Sequence, residues 1–312
     1  MGRLKIVYPV CCGMDVHRDF LIACIAATNA QGVTEYQSRR FSTYTGSLRE
    51  LRDWLLAIDC KDVCMESTGK YWFPVHNILE ESCHVVVSHP KFVKAIKGKK
   101  TDKKDAQWIA DLFKHDLVRG SFIPPKDIRQ LRDLCRYWVK LSSYMTGEKN
   151  RAQNCLTVSN FKLDDVFSNV FGKSASAITT QLLEHPGEQF DVAPFVDGRC
   201  KTPIAQIQEA VDGIFTYEQA EKLKIIRGHM DSLERHKAEL ESLILEIAQN
   251  YLPQIELLLT VPGIHDAFTA IRILAEIGAD MTVFDTSKHL CSWAGLTPQN
   301  AESAGKKKTT RI

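Results

Sequence analysis

The sequence predicts a mixed α/β domain followed by a helical region that ends in a small all-α domain. Three observations carry the prediction. Strand-like and helix-like runs alternate over residues 1–120. Apolar residues recur at 3-4 spacing in two long stretches of 121–250. A helix–turn–helix pattern opens residues 251–312.

The elements follow in order. IVYPVCCGMD (6–15) is an apolar run of strand length. DFLIACIAAT (19–28) is a second, closed by the turn former NAQG, and VTEYQSRRF (33–41) alternates with the period of a strand. LRELRDWLLAI (48–58) has helical spacing. DVCME (62–66) is a short buried strand. YWFPVHNILEE (71–81) is a helix with a proline in its first turn, where Tyr71 and Trp72 serve packing. HVVVSH (84–89) is a strand and DAQWIADLFKH (105–115) a helix. Three strands able to form a meander, then α/β units, describe a mixed sheet covered by helices.

Ile128, Leu131, Cys135, Trp138, Met145, Ala152 and Leu156 predict a helix over 126–158. Leu223, Ile226, Met230, Leu233, Leu240, Ile244 and Ile247 form a coiled-coil seam broken only by Lys237. Its partner is either the 126–158 helix or another subunit. Residues 159–213 read as an insertion or connector. LLLTVPGIHDAFTAIRILAEIG (257–278) is similar to a helix-hairpin-helix, whose turn at Gly263 would offer amides to a phosphate; His265 stands where such a hairpin has its second glycine.

Net charge is only +2, but the region from Val85 to Arg151 holds 16 Lys and Arg against 7 Asp and Glu, a local +9. A basic stripe on a near-neutral chain is the footprint of nucleic-acid binding. Its candidates are Lys91, Lys94, Lys97, Lys99, Lys100, Lys103 and Lys104, then Arg129, Arg132, Arg136 and Lys140 at helical spacing. An ordinary solvated face is the alternative. No apolar run has the length of a membrane span, and MGRLKIVYPVCC lacks the pattern of a signal peptide, so a cytoplasmic protein is expected. The ten cysteines include no Cys-x-x-Cys. They read as reduced, small apolar residues, with a zinc site at Cys83, His84 or His89 the lesser alternative.

Within the lysine run KGKKTDKKDAQWIADL stand Asp102 and Asp105. As isolated residues they suit a helix start, Asp102 as cap and Asp105 as a first-turn acid. Asp15, in CCGMDVHRD, ends the first strand, and Glu66, in DVCMESTGKYW, ends the fourth. Neither strand needs a carboxylate at its tip. Strand ends and helix starts converge on one edge of a mixed sheet, and four carboxylates gathered there would repel unless divalent cations lay between them. Mg²⁺ is the expected ion, since hard cations take oxygen ligands, and two ions can stabilise both oxygens of a phosphoryl transfer. His17 and Arg18 follow Asp15 as surface residues or as a hold on the scissile phosphate.

These motifs together resemble the DEDD transposases of the insertion-sequence-110 family, relatives of the Piv DNA invertases. Asp15, Glu66, Asp102 and Asp105 match its tetrad. TVPGI, AEIGAD, FDTSKHLCSWAGLTPQ and NAESAGKKK resemble its second domain. The resemblance implies a RuvC-like ribonuclease H fold over 1–120, a helical linker and coiled coil over 121–250, and a C-terminal transposase domain over 251–312. It implies Ser303 as nucleophile, with Lys306 and Lys307 near the phosphate. It further implies donor and target DNA, an element-encoded guide RNA, a dimer or tetramer, and a site shared between subunits. Family members continue past this motif, so KKKTTRI reads as a shortened end. The two rival readings are a junction-resolving nuclease that uses water and a non-catalytic nucleic-acid-binding regulator.

Overall fold

A five-stranded sheet organises the first unit of the chain, which runs to Ile123. Its strands are β1 (Val10–Val16), β2 (Phe20–Thr28), β3 (Thr34–Ser42), β4 (Asp62–Glu66) and β5 (His84–Ser88), in the order β3-β2-β1-β4-β5. β1 and β2 pair antiparallel, as do β2 and β3; β4 and β5 run parallel to β1. An antiparallel meander extended by parallel strands is the ribonuclease H-like arrangement. The computed structural model describes residues 4–67, 69–93, 102–297, 302–303 and 306–307.

β1 starts later than the apolar run suggested. Pro9 has no N–H for a ladder, so pairing begins at Val10. The amides of Val7 and Tyr8 instead donate to the Lys114 carbonyl at the end of a helix. One face of the sheet carries α1 (Thr45–Ala57) and α2 (Trp72–Leu79), which close a core of Met14, Leu21, Ile25, Leu51, Leu55, Met65 and Val75. α3 (Pro90–Val93) follows β5. The other face carries α4 (Asp102–Lys114) over Cys11, Ala26 and Cys64, with Ile109, Ala110 and Phe113 as its buried stripe.

The second unit, from Pro124, is helical. α5 (Lys126–Val158) begins straight after Pro125, where a proline suits a helix start. α6 (Leu163–Val166), α7 (Lys173–Glu184) and α8 (Ile204–Ala210) follow, then α9 (Tyr217–Ala248). α10 (Leu252–Leu259), α11 (Ala267–Ile277) and α12 (Ser287–Trp293) come next, then the two-residue strands β6 (Glu302–Ser303) and β7 (Lys306–Lys307).

α5 and α9 are antiparallel partners within one chain. Ile128 and Leu131 meet Ile244, Leu141 meets Leu233 and Leu240, and Leu156 meets Leu223. Lys237, the break in the seam, sits with its ammonium 4.4 Å from the Trp138 ring centroid, while Trp138 Nε1 donates to Glu241 at 2.8 Å. A cation over an aromatic face is an attractive contact, so the charge costs the seam little. The connector 159–213 folds into short helices, whose Leu163, Ile178, Leu182 and Ile207 join Leu156 and Leu223 in one core. The boundary expected near 250 falls inside this unit. Ile255 of α10 and Ile271 and Leu274 of α11 share a core with Ile128 and Ile244. Among the described residues no helix is long and apolar enough to cross a membrane.

Candidate active site

The site starts from the two-residue period of β1. Cys12, Met14 and Val16 face α1 and α2, so Cys11, Gly13 and Asp15 face α4. Cys11 Sγ donates to the Ala110 carbonyl at 3.6 Å. Gly13 lies beneath Ala106 and Ala110: a Cβ there would stand 2.3 Å from the Ala106 oxygen and 2.3 Å from the Ala110 nitrogen. The helix backbone therefore rests on the strand. Two residues up β1 span about 7 Å and four residues down α4 about 6 Å, so the two run past one another nearly in step. One step beyond Gly13 and Ala106 come Asp15 and Asp102.

His17 joins them. Its Nε2 is 3.1 Å from Asp15 Oδ2 and 3.8 Å from Asp102 Oδ1. One ligand atom from each of Asp15, His17 and Asp102 lies within 4.8 Å of the others. Burial pushes the Asp15 carboxyl up from its ordinary value. The charges of Asp102 and Asp105 push the same way, and His17 opposes them. Glu66 is placed by register. Met14 pairs with Met65 in the parallel β1–β4 ladder, so Asp15 and Glu66 are side by side at the strand ends. Glu66 follows Cys64 by two residues and shares its α4-facing side. Asp15 and Asp102 thus meet. Asp105, in the first turn of α4, acts on Asp15 through its charge, and Glu66 ends the neighbouring strand, but among the described residues neither Asp105 nor Glu66 joins the group of Asp15, His17 and Asp102. The set fits a divalent cation: the donors are mainly carboxylate oxygens, their like charges crowd one another, and among the described residues no Lys or Arg ion pair reaches Asp15 or Asp102.

The zinc alternative does not assemble among the described residues. Cys83 is buried, His84 Nδ1 is 2.9 Å from Asp62, and His89 Nδ1 accepts from the Lys91 amide at 3.1 Å.

The basic candidates part company. Lys103 and Lys104 are exposed on the first turn of α4. Lys94, Lys97, Lys99 and Lys100 lie outside the described residues. Arg132 donates through Nε to the Ala275 carbonyl and through a terminal nitrogen to that of Glu276, both at 2.9 Å. Arg136 grips the Glu276 carboxylate with two bonds of 2.8 Å, and Arg129 donates to the Pro124 carbonyl at 2.9 Å. Two of the stripe's arginines thus secure the end of α11. Lys140 Nζ is 5.2 Å from the Tyr144 ring centroid. The turn at Gly263 has φ +97°, which favours glycine. There the Ile264 amide donates to Val261, and the Asp266 carboxylate caps α11 through the Thr269 amide at 2.8 Å. Ser303 is described by its backbone alone: it pairs with Lys306, and Glu302 with Lys307.

Sequence reasoning undervalued two residues. His17 is two places after Asp15 and so on its side of the strand, a signal that period alone carries. Gly13 interrupts a strand, which marks close approach of another backbone.

Two family models match the chain. Residues 12–160 match a transposase model named for the DEDD transposases of IS110, and residues 255–312 match the transposase family IS116/IS110/IS902. No curated protein matches the chain significantly. Among solved structures, Thermus thermophilus RuvC is similar with 14% identity and a TM-score of 0.29, over 36% of this chain and 99% of that one. The same protein with a Holliday junction gives 13% and 0.28, again over 36% and 99%. A Fowlpox virus resolvase with Holliday junction DNA gives 14% and 0.23, over 33% and 72%.

Proposed function

The chain belongs to the IS110 family of DEDD transposases, and from that premise we propose that it cuts and rejoins the DNA of an insertion sequence through a covalent link to Ser303. It is an enzyme that acts on DNA and uses a divalent metal, here proposed as two Mg²⁺ held by Asp15, Glu66, Asp102 and Asp105. The observation that carries the reading is the meeting of Asp15 with Asp102 where β1 ends and α4 begins. Bound divalent cations would neutralise these acids and the oxygens of a phosphodiester.

The residues divide the work. Asp15 and Glu66 fix one side of the site from rigid strands, and Asp102 and Asp105 close it from the helix. Lys103 and Lys104, with Lys91 and the lysines between 94 and 100, hold the nucleic-acid backbone by charge, without reading sequence. Ser303 Oγ attacks phosphorus and releases its proton to water. The bond from phosphorus to one sugar oxygen breaks, and that oxygen leaves as a hydroxyl. A sugar hydroxyl of the incoming strand then attacks the same phosphorus, breaks the serine ester and restores the serine. Bond energy is conserved, so rejoining needs no ATP. Lys306 and Lys307 flank the phosphate, and the amides near Gly263 are a further contact to the backbone. The reading includes a guide RNA that selects donor and target DNA by base pairing. It also includes a dimer or tetramer in which the acids of one copy meet the serine of another.

Ser303→Ala tests the nucleophile on supercoiled DNA. Loss of the covalent protein–DNA adduct with loss of rejoined product supports the reading. The alternative is hydrolysis by water, as in a junction-resolving nuclease. Undiminished cutting by Ser303→Ala would establish that alternative, and a lack of any cation-dependent cutting would establish a binding regulator. Sequencing the nucleic acid that co-purifies with the protein tests the guide: one defined RNA supports it, and random RNA overturns it.

A further inference from the structure

His17 is outside the acidic tetrad, yet it is the nitrogen donor in the one group of three potential ligands found among the described residues. Its place is fixed by more than Asp15. Its backbone N–H donates to the Phe20 carbonyl at 2.9 Å and closes the turn between β1 and β2. Its ring packs on Phe20 with centroids 4.7 Å apart, and the Arg40 guanidinium lies 4.0 Å from the same Phe20 centroid. The imidazole is therefore held at the two carboxylates on a rigid strand end, where a free surface histidine would rotate.

A nitrogen donor alters what the site prefers. Mg²⁺ favours oxygen and gives up its water reluctantly. Transition-metal cations accept imidazole more readily, and Mn²⁺ among them also suits carboxylates. We propose that His17 is a ligand of the cation held by Asp15 and Asp102, and that the site binds Mn²⁺ more tightly than Mg²⁺ because of it. The proposal rests on the reading of Asp15 and Asp102 as cation ligands. Phe20 is a positioning residue, since it touches the imidazole and not the cation.

The test is pulsed electron paramagnetic resonance of Mn²⁺ bound to the full chain, beside calorimetric titrations with Mn²⁺ and Mg²⁺. Wild type is expected to show nitrogen modulation from one imidazole. His17→Gln should lose it, weaken Mn²⁺ binding about tenfold and change Mg²⁺ binding by less than about twofold. Mn²⁺ bound without nitrogen modulation, at a site that Asp15→Asn removes, overturns the role of His17 and leaves the carboxylate site standing. Equal weakening of both cations by His17→Gln also overturns it. Equal Mn²⁺ binding by wild type and Asp15→Asn overturns the carboxylate site itself. The wild-type spectrum decides the point without any variant having to fold.

Discussion

Gly13 of β1 lies directly beneath Ala110 of α4, so close that the position of a missing Cβ is 2.3 Å from the Ala110 nitrogen. This approach sets the height of α4 above the sheet, and α4 carries Asp102 to Asp15. Gly13→Ala must lift the helix, because backbone atoms are what the new methyl meets. Overpacking of this kind costs about 1–3 kcal/mol. Chemical denaturation should show that loss. Cation affinity should fall with it, although no ligand has been changed; unchanged affinity would show that α4 height does not govern the site.

Asp15 is held with its charge partly buried and beside two other acids. Asp15→Asn keeps the shape and removes the charge. Without divalent cation the variant should melt at or above the wild-type temperature, since the burial cost of a carboxylate disappears. With cation, wild type should gain stability and the variant should not. Thermal scans with and without Mg²⁺ check both parts, and a cation-induced gain in the variant would contradict the assignment.

Arg132 and the lysines of α4 should fail in different ways. Arg132→Ala removes two bonds to the last carbonyls of α11, where a cation also suits the helix dipole. The expected loss is about 1–3 kcal/mol of folding stability. A double Lys103→Ala, Lys104→Ala change should weaken DNA binding. It should flatten the slope of log affinity against log salt by about two, since each lysine that neutralises a phosphate adds about one unit to that slope. An unaltered slope would remove these lysines from the DNA grip.

Tyr251 donates its hydroxyl to Asp127, and burial with that neighbouring charge pushes its phenol up to about 12 from an ordinary 10.0. The folded value is the higher one. The stabilisation is therefore complete below pH 10 and drains away as pH rises from about 10 to about 12. Tyr251→Phe should lower stability at neutral pH and lose less than wild type over that alkaline window. Denaturation at stepped pH measures it; parallel curves for the two proteins would exclude the coupling.

The sequence by itself determined the order of the five strands and the two long helices. Apolar runs of strand length and one alternating run named β1 to β5, and 3-4 spacing named α5 and α9, because burial on one face repeats at the period of the backbone. It also singled out the four acids, as charges that no strand end requires. Only the tertiary structure decided which long helix pairs with α9. A heptad seam reports that a partner exists and is silent about its identity, and here α5 of the same chain fills it. Only the tertiary structure showed that Arg132 and Arg136 secure α11, since a basic stripe looks the same whether it faces a phosphate or a helix end. The meeting of Asp15, His17 and Asp102 is likewise tertiary. It depends on a backbone-to-backbone approach at Gly13, and the lack of a side chain leaves no chemical pattern to name its neighbour.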